Sequence, residues 1–129
     1  MNPTGQGRVN STTVLLVDDD DQLRRFCRDC LAEKGFKVLE GDNGLEALLV
    51  AVNHDGTIDL LITDLEMPKI SGDKLAQALK AMRPTISVLY ISGAACQFEL
   101  EPGCTFLPKP FLPDAFLKFI GEALDARNT

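Results

Sequence analysis

The chain has 129 residues, 45% of them hydrophobic and 25% charged, with a formal net charge of −6. That suits one soluble domain with its own core, is too short for a second, and is too acidic for wholesale nucleic-acid binding, which needs a basic patch. No run approaches the roughly 18 apolar residues of a membrane helix, and the opening "MNPTGQGRVN" lacks the apolar core of a signal peptide, so a cytoplasmic location without membrane insertion is expected.

Residues 1–11, rich in Gly, Asn and Thr, are expected to be a disordered leader. "TVLLV" (13–17) is a continuous β-branched and leucine run, the pattern of a strand buried on both faces. It runs directly into four acids, Asp18 to Asp21. Leu23, Phe26, Cys27, Cys30 and Leu31 then recur at helical spacing, and the glycine of "EKGF" ends that helix. The helix contains "CRDC", formally a CxxC but not at a strand-to-helix turn, where redox pairs are activated. Cys96 and Cys104 lie far off and the one histidine, His54, is remote, so zinc is disfavoured and free thiols are expected.

"FKVLE" (36–40) reads as a second strand, and "NGLE" (43–46) as a capping box opening a helix whose buried stripe is Leu45, Leu48, Leu49 and Val52. "IDLLIT" (58–63) is a third strand ending at Asp64, followed by the loop "LEMPKISG" and a helix carrying Leu75, Ala78, Leu79 and Met82. "ISVLYIS" (86–92) and "TFLP" (105–108) are the fourth and fifth strands. Pro113 suits the first turn of a last helix with Phe116, Ile120 and Leu124 on its core face.

Alternating strands and helices predict an α/β domain: a parallel sheet covered on both faces. Ligands of such sheets sit beyond the carboxyl ends of the strands, where the strand order reverses. The residues there are Asp18 and Asp19 after strand one, Asp64 after strand three, Ser92 after strand four and Lys109 after strand five. Asp20 and Asp21 have an ordinary role as N-cap and first-turn acid of the following helix. Any one of the others could be a loop cap, a turn hydroxyl or a solvated charge; their joint placement at successive strand ends points elsewhere. Clustered carboxylates raise one another's pKa unless a cation intervenes, and a hard divalent ion prefers carboxylate, carbonyl and water oxygens. A carboxylate nucleophile attacking a phosphoryl group needs that cation, a lysine and a hydroxyl donor around the equatorial oxygens. The set matches Mg²⁺-assisted phosphoryl transfer to an acid.

"VLLVDDD", "DLLITDLEMPKISG", "VLYISG" and "FLPKPF", in this order, resemble the receiver domain of two-component response regulators over residues 12–126, leaving 127–129 as a tail. The resemblance implies a flavodoxin-like, doubly wound five-stranded parallel sheet of order 2-1-3-4-5 with helices on both faces. It makes Asp64 the phosphoacceptor, taking a phosphoryl group from the phosphohistidine of a sensor histidine kinase or a histidine phosphotransfer protein. The metal, Mg²⁺ with Mn²⁺ as a substitute, would be held by Asp18, Asp19, Asp64 and the backbone carbonyl of Glu66, with Asp18 acting mainly through water. Ser92 and Lys109 would bind the phosphoryl oxygens, and the bond before Pro110 would be cis. Ser92 and Phe106 would form the switch pair, although Phe106 equally fits an ordinary core aromatic. The chain would be a signalling phosphoacceptor rather than a turnover enzyme, acting on an unknown protein target without direct nucleic-acid binding.

Departures from the family concern output. "GAACQFELEPGCTFLP" is short between Ser92 and Lys109 and carries Pro102 and Gly103, so a fourth helix there is expected to be short or irregular. In the family that face serves dimers and targets, so a homodimer here is an open expectation. Leu112 stands where a capping hydroxyl or acid is frequent. One helix follows Lys109, so the expectation is a stand-alone receiver or one excised from a hybrid kinase, which the wording of "DLEMPKISG" resembles. An aspartyl-phosphate hydrolase is disfavoured because Gln22 or Leu23 stands where its threonine is needed. The ranked alternative is a pseudo-receiver, an interaction module working without phosphorylation.

Overall fold

The computed structural model describes residues 12–93 and 104–126. Its elements are β1 (Thr13–Val17), α1 (Asp21–Glu33), β2 (Lys37–Gly41), α2 (Gly44–Asn53), β3 (Leu60–Asp64), α3 (Gly72–Met82), β4 (Ser87–Ser92), β5 (Thr105–Pro108) and α4 (Pro113–Ala126). The five strands form one parallel sheet in the order β2-β1-β3-β4-β5, the order expected. Among the described residues four helices cover it, and none is long and apolar enough to cross a membrane. The expectations for a leader over 1–11, a fourth helix over 94–103, Cys96 and the tail over 127–129 lie outside the described residues.

The sheet is central because β1, β3 and β4 are buried along their whole length. Alternate strand residues feed two cores. Leu15, Val17, Leu61 and Val88 meet Ala47, Ala51, Leu75 and Leu79 of α2 and α3 on one face. Val14, Leu16, Ile62 and Leu89 meet Cys27, Leu31, Phe116 and Ile120 of α1 and α4 on the other. Each valine, leucine, isoleucine or phenylalanine among them is worth roughly 1.5–3 kcal/mol relative to exposure, which fixes the register and hence what projects from the strand ends.

The local signals read from sequence largely hold. Asp20 caps α1, accepting from the Gln22 and Leu23 amides at 3.0 and 3.2 Å, and Gly35 turns the chain after α1 at φ 88°, a conformation that suits glycine. Asn43 caps α2 by accepting from the Glu46 amide at 2.8 Å. Glu46 returns its carboxylate to the amide of Asp42, one residue before the box, at 2.7 Å. Strand limits shift by a residue or two: β2 begins at Lys37, β3 at Leu60 and β4 at Ser87.

One expectation is overturned. The buried side of α2 is Gly44, Ala47 and Ala51 with Leu48 half-buried, while Leu45, Leu49 and Val52 are 57%, 57% and 66% exposed. The helix is apolar nearly all round, so periodicity alone leaves two phases open. Close approach decides between them: a Cβ on Gly41 of β2 would lie 3.1 Å from the Ala47 backbone. Only small residues fit that seam, and the larger ones face outward. Met82, at the end of α3, is also 43% exposed.

Candidate functional site

β1 lies between β2 and β3, so the chain reverses direction across the sheet there and a crevice opens at the carboxyl ends of β1 and β3. Asp18 and Asp19 leave β1 at that edge, and Asp64 is the last residue of β3. Ladder-like bonds carry the alignment past the strands: the Leu65 amide donates to the Ile91 carbonyl at 3.0 Å, and the Lys109 amide to the Ser92 carbonyl at 2.8 Å. The Lys109–Pro110 peptide is cis, as expected.

Lys109 Nζ reaches back over the sheet edge and lies 3.3 Å from Asp64 Oδ2 and 3.4 Å from Asp18 Oδ2. Each acid has its other oxygen fixed by backbone: Asp18 Oδ1 accepts from the Asp20 amide at 2.8 Å and Asp64 Oδ1 from the Glu66 amide at 3.1 Å. Asp18 is 0% and Asp64 6% exposed, whereas Asp19 is open to solvent. Ser92, buried at the end of β4, donates its hydroxyl to Glu66 Oε1 at 3.4 Å, above the same crevice. Phe106 lies on β5 opposite Tyr90, partly buried against the α2/α3 core.

Burial pushes the Asp18 and Asp64 carboxyls above the ordinary carboxylate range. The Asp20 and Glu66 amides and the Lys109 ammonium pull them back, and the charges of Asp64 and Asp19 respectively push them up again. Lys109 loses solvation too, but the two carboxylates outweigh that and raise its pKa, so it stays charged. One ammonium therefore faces three acids.

The donor set suits a divalent cation. A carboxylate oxygen from each of Asp18, Asp19 and Asp64 can be chosen so that all lie within 4.8 Å of one another. Among the described residues Asp18 Oδ2 is buried without a hydrogen-bond partner, and the Lys109 ammonium lies 3.4 Å from it. A buried carboxylate oxygen left in that state is costly. A hard divalent ion would satisfy it and balance the excess negative charge left after Lys109.

Two supports escaped the sequence reading. Arg24, one turn into α1, donates to the Asp18 carbonyl at 2.7 Å while holding Asp21 at 2.8 Å and Glu40 on β2 at 3.2 Å. The guanidinium thus pins the acidic loop, and no short spacing announces a bond to a backbone carbonyl. Gly72 begins α3 where a Cβ would lie 2.2 Å from the Asp64 carbonyl oxygen, and its amide donates to the Leu65 carbonyl at 2.9 Å. It stands inside "LEMPKISG", but only the fold shows what it accommodates. Cys27 and Cys30 are held as thiols: burial, with the Asp18 charge, pushes the Cys27 thiol up to about 12, and burial also raises Cys30.

Comparison with known proteins agrees with this fold. The family model described as the response regulator receiver domain matches residues 14–120. The sensor kinase CckA of Brucella abortus is 31% identical over 123 residues, covering 92% of this chain and 13% of that protein. The transcriptional regulatory protein CpxR of Escherichia coli is 35% identical over 103 residues, 76% of this chain and 43% of that one. The chain therefore spans less than half of either relative. Among solved structures, the receiver domain of the hybrid histidine kinase CckA superposes with a TM-score of 0.77 at 38% identity, covering 87% of this chain and 98% of that one. A receiver protein of Sinorhizobium medicae gives 0.81 at 27% identity, covering 90% and 96%.

Proposed function

The chain belongs to the response regulator receiver family, and from that premise we propose that Asp64 accepts a phosphoryl group from a phosphohistidine in a Mg²⁺-dependent phosphorelay. A carboxylate oxygen of Asp64 attacks phosphorus, the P–N bond breaks toward the imidazole, and an acyl phosphate results. The observation that carries this reading is Lys109 bridging Asp64 and Asp18 at 3.3 and 3.4 Å, with Asp19 beside them.

Lys109 offsets charge on the equatorial oxygens, and Ser92, whose hydroxyl already points toward Glu66 across the crevice, donates a hydrogen bond to one of them. Mg²⁺, held by Asp18, Asp19, Asp64 and the Glu66 carbonyl, supplies charge neutralisation and orientation when bound. Asp18 would act mainly through water, and Mn²⁺ would serve in its place. Sensor kinases among the relatives support a kinase, or a histidine phosphotransfer protein fed by one, as donor. Phosphorylation would then draw Ser92 inward and let Phe106 pack more deeply against the core, changing the surface around β5.

Incubation with a panel of ³²P-labelled histidine phosphotransfer proteins, with Mg²⁺ or EDTA, tests the proposal. Label should pass to the wild type only with Mg²⁺ and not to Asp64→Asn. Label on the variant would displace Asp64 from the role, and label on the wild type in EDTA would remove the Mg²⁺ requirement. No transfer from any donor would favour an interaction module that works without phosphorylation.

A further inference from the structure

The outward side of α2 has no part in the site above. Leu45, Leu49 and Val52 stand at i, i+4 and i+7, so on a helix of about 3.6 residues per turn they form one narrow stripe, and each is more than half exposed. Scattered exposed apolar residues need no explanation, but three large ones aligned on one helix face do. Beside the stripe, Leu39 of β2 with Glu46, Leu49, Val50, Asn53 and His54 lines a groove of about 360 Å³. A stripe at that spacing with a flanking groove is the arrangement that accepts a second amphipathic helix.

Charge selects the kind of helix. Between Lys37 and Lys69, both exposed, the sequence has no Lys or Arg and seven acids. Asp42, Glu46 and Asp55 among them are exposed at the two ends of α2. The nearest guanidinium, Arg83, is committed to the carbonyls of Ala51, His54 and Gly56 at 2.8–3.1 Å. A second copy of this chain would bring the same acids against one another. We infer that the outward face of α2 docks a basic amphipathic helix of a partner protein. The inference does not depend on Asp64 being phosphorylated. The surface also adjoins the site: a Cβ on Gly44 would lie 2.8 Å from Ile70, so the start of α2 abuts the loop that follows Asp64.

The test uses the ¹⁵N-labelled full chain in saturating Mg²⁺ with two synthetic helical peptides that share a leucine stripe, one with lysine and one with glutamate at the polar positions. The lysine peptide should shift resonances of α2 and Leu39 and bind at least about tenfold more tightly than the glutamate peptide, weakening as salt rises. Leu45→Gln with Leu49→Gln should cost about tenfold in that affinity without moving the melting temperature. Glu46→Gln, which keeps an acceptor for the Asp42 amide, should narrow the preference for lysine. Equal binding of both peptides, shifts confined to the Asp18–Asp19–Asp64 pocket, or no binding would overturn the inference. So would self-association through this face, seen by sedimentation and lost in the Leu→Gln variant.

Discussion

Replacing Gly72 by alanine should damage both the fold and the site, because the new methyl meets backbone on the far side. A Cβ there would lie 2.2 Å from the Asp64 carbonyl oxygen, 2.9 Å from the Asp64 carbonyl carbon and 3.0 Å from Leu65 Cα, against ordinary contact that begins at 3.4 Å. The closest approach is more than an ångström short, and none of these atoms can rotate away as a side chain would. Alanine would favour the helix by up to about 1 kcal/mol, whereas overpacking of a rigid neighbour costs typically about 1–3 kcal/mol. Because the approach is to rigid backbone, the cost falls in the upper part of that range, about 2–3 kcal/mol, so the clash wins with a net loss of about 1–2 kcal/mol and a melting temperature lower by several degrees. The shift falls on Asp64, the proposed phosphoacceptor, and displacement of a reacting group by about an ångström can cost about a hundredfold in rate. Thermal unfolding by circular dichroism and the rate of labelling by acetyl phosphate read the two effects. A variant as stable as the wild type and labelled at the same rate would refute the steric argument.

Arg24→Ala should loosen the loop pinned at the Asp18 carbonyl and weaken Mg²⁺ binding about three- to tenfold, read by titration calorimetry, with Arg24→Lys restoring part of it. Lys109→Met should leave Asp18 and Asp64 buried without their cation. The metal-free fold should lose about 1–3 kcal/mol, less than a fully buried pair because Lys109 keeps some solvent contact, and Mg²⁺ should recover much of it in urea unfolding. Asp18 and Asp64 have carboxyl pKa values raised in the folded state. The folded protein therefore holds protons that the unfolded chain has released, and these two groups make metal-free stability fall as pH rises above about 4. Saturating Mg²⁺ at neutral pH should reverse that trend and raise the melting temperature, while Asp18→Asn should raise the metal-free value and abolish the Mg²⁺ response.

The strands were legible because a strand buried on both faces must be a continuous apolar run, as "TVLLV" and "ISVLYIS" are. Once strands are placed, a parallel sheet confines ligand chemistry to their carboxyl ends, which is why Asp18, Asp19, Asp64, Ser92 and Lys109 could be named without coordinates. The phase of α2 was not legible. Its two apolar faces compete on hydrophobicity alone, and the choice falls to the space beside Gly41. Arg24 and Gly72 act on backbone carbonyls, partners that side-chain spacing does not encode. Glu46 bonding Asp42 instead of Asn43 shows the same limit in a cap, where one residue of chain path decides the partner.

Intact-protein mass after incubation with acetyl phosphate tests the central claim most directly, because it needs no cognate kinase. The wild type should gain one phosphoryl group in Mg²⁺ and none in EDTA, and Asp64→Asn should gain none in either. A folded wild type that gains nothing in Mg²⁺, or an Asp64→Asn variant that gains as much as the wild type, would contradict it.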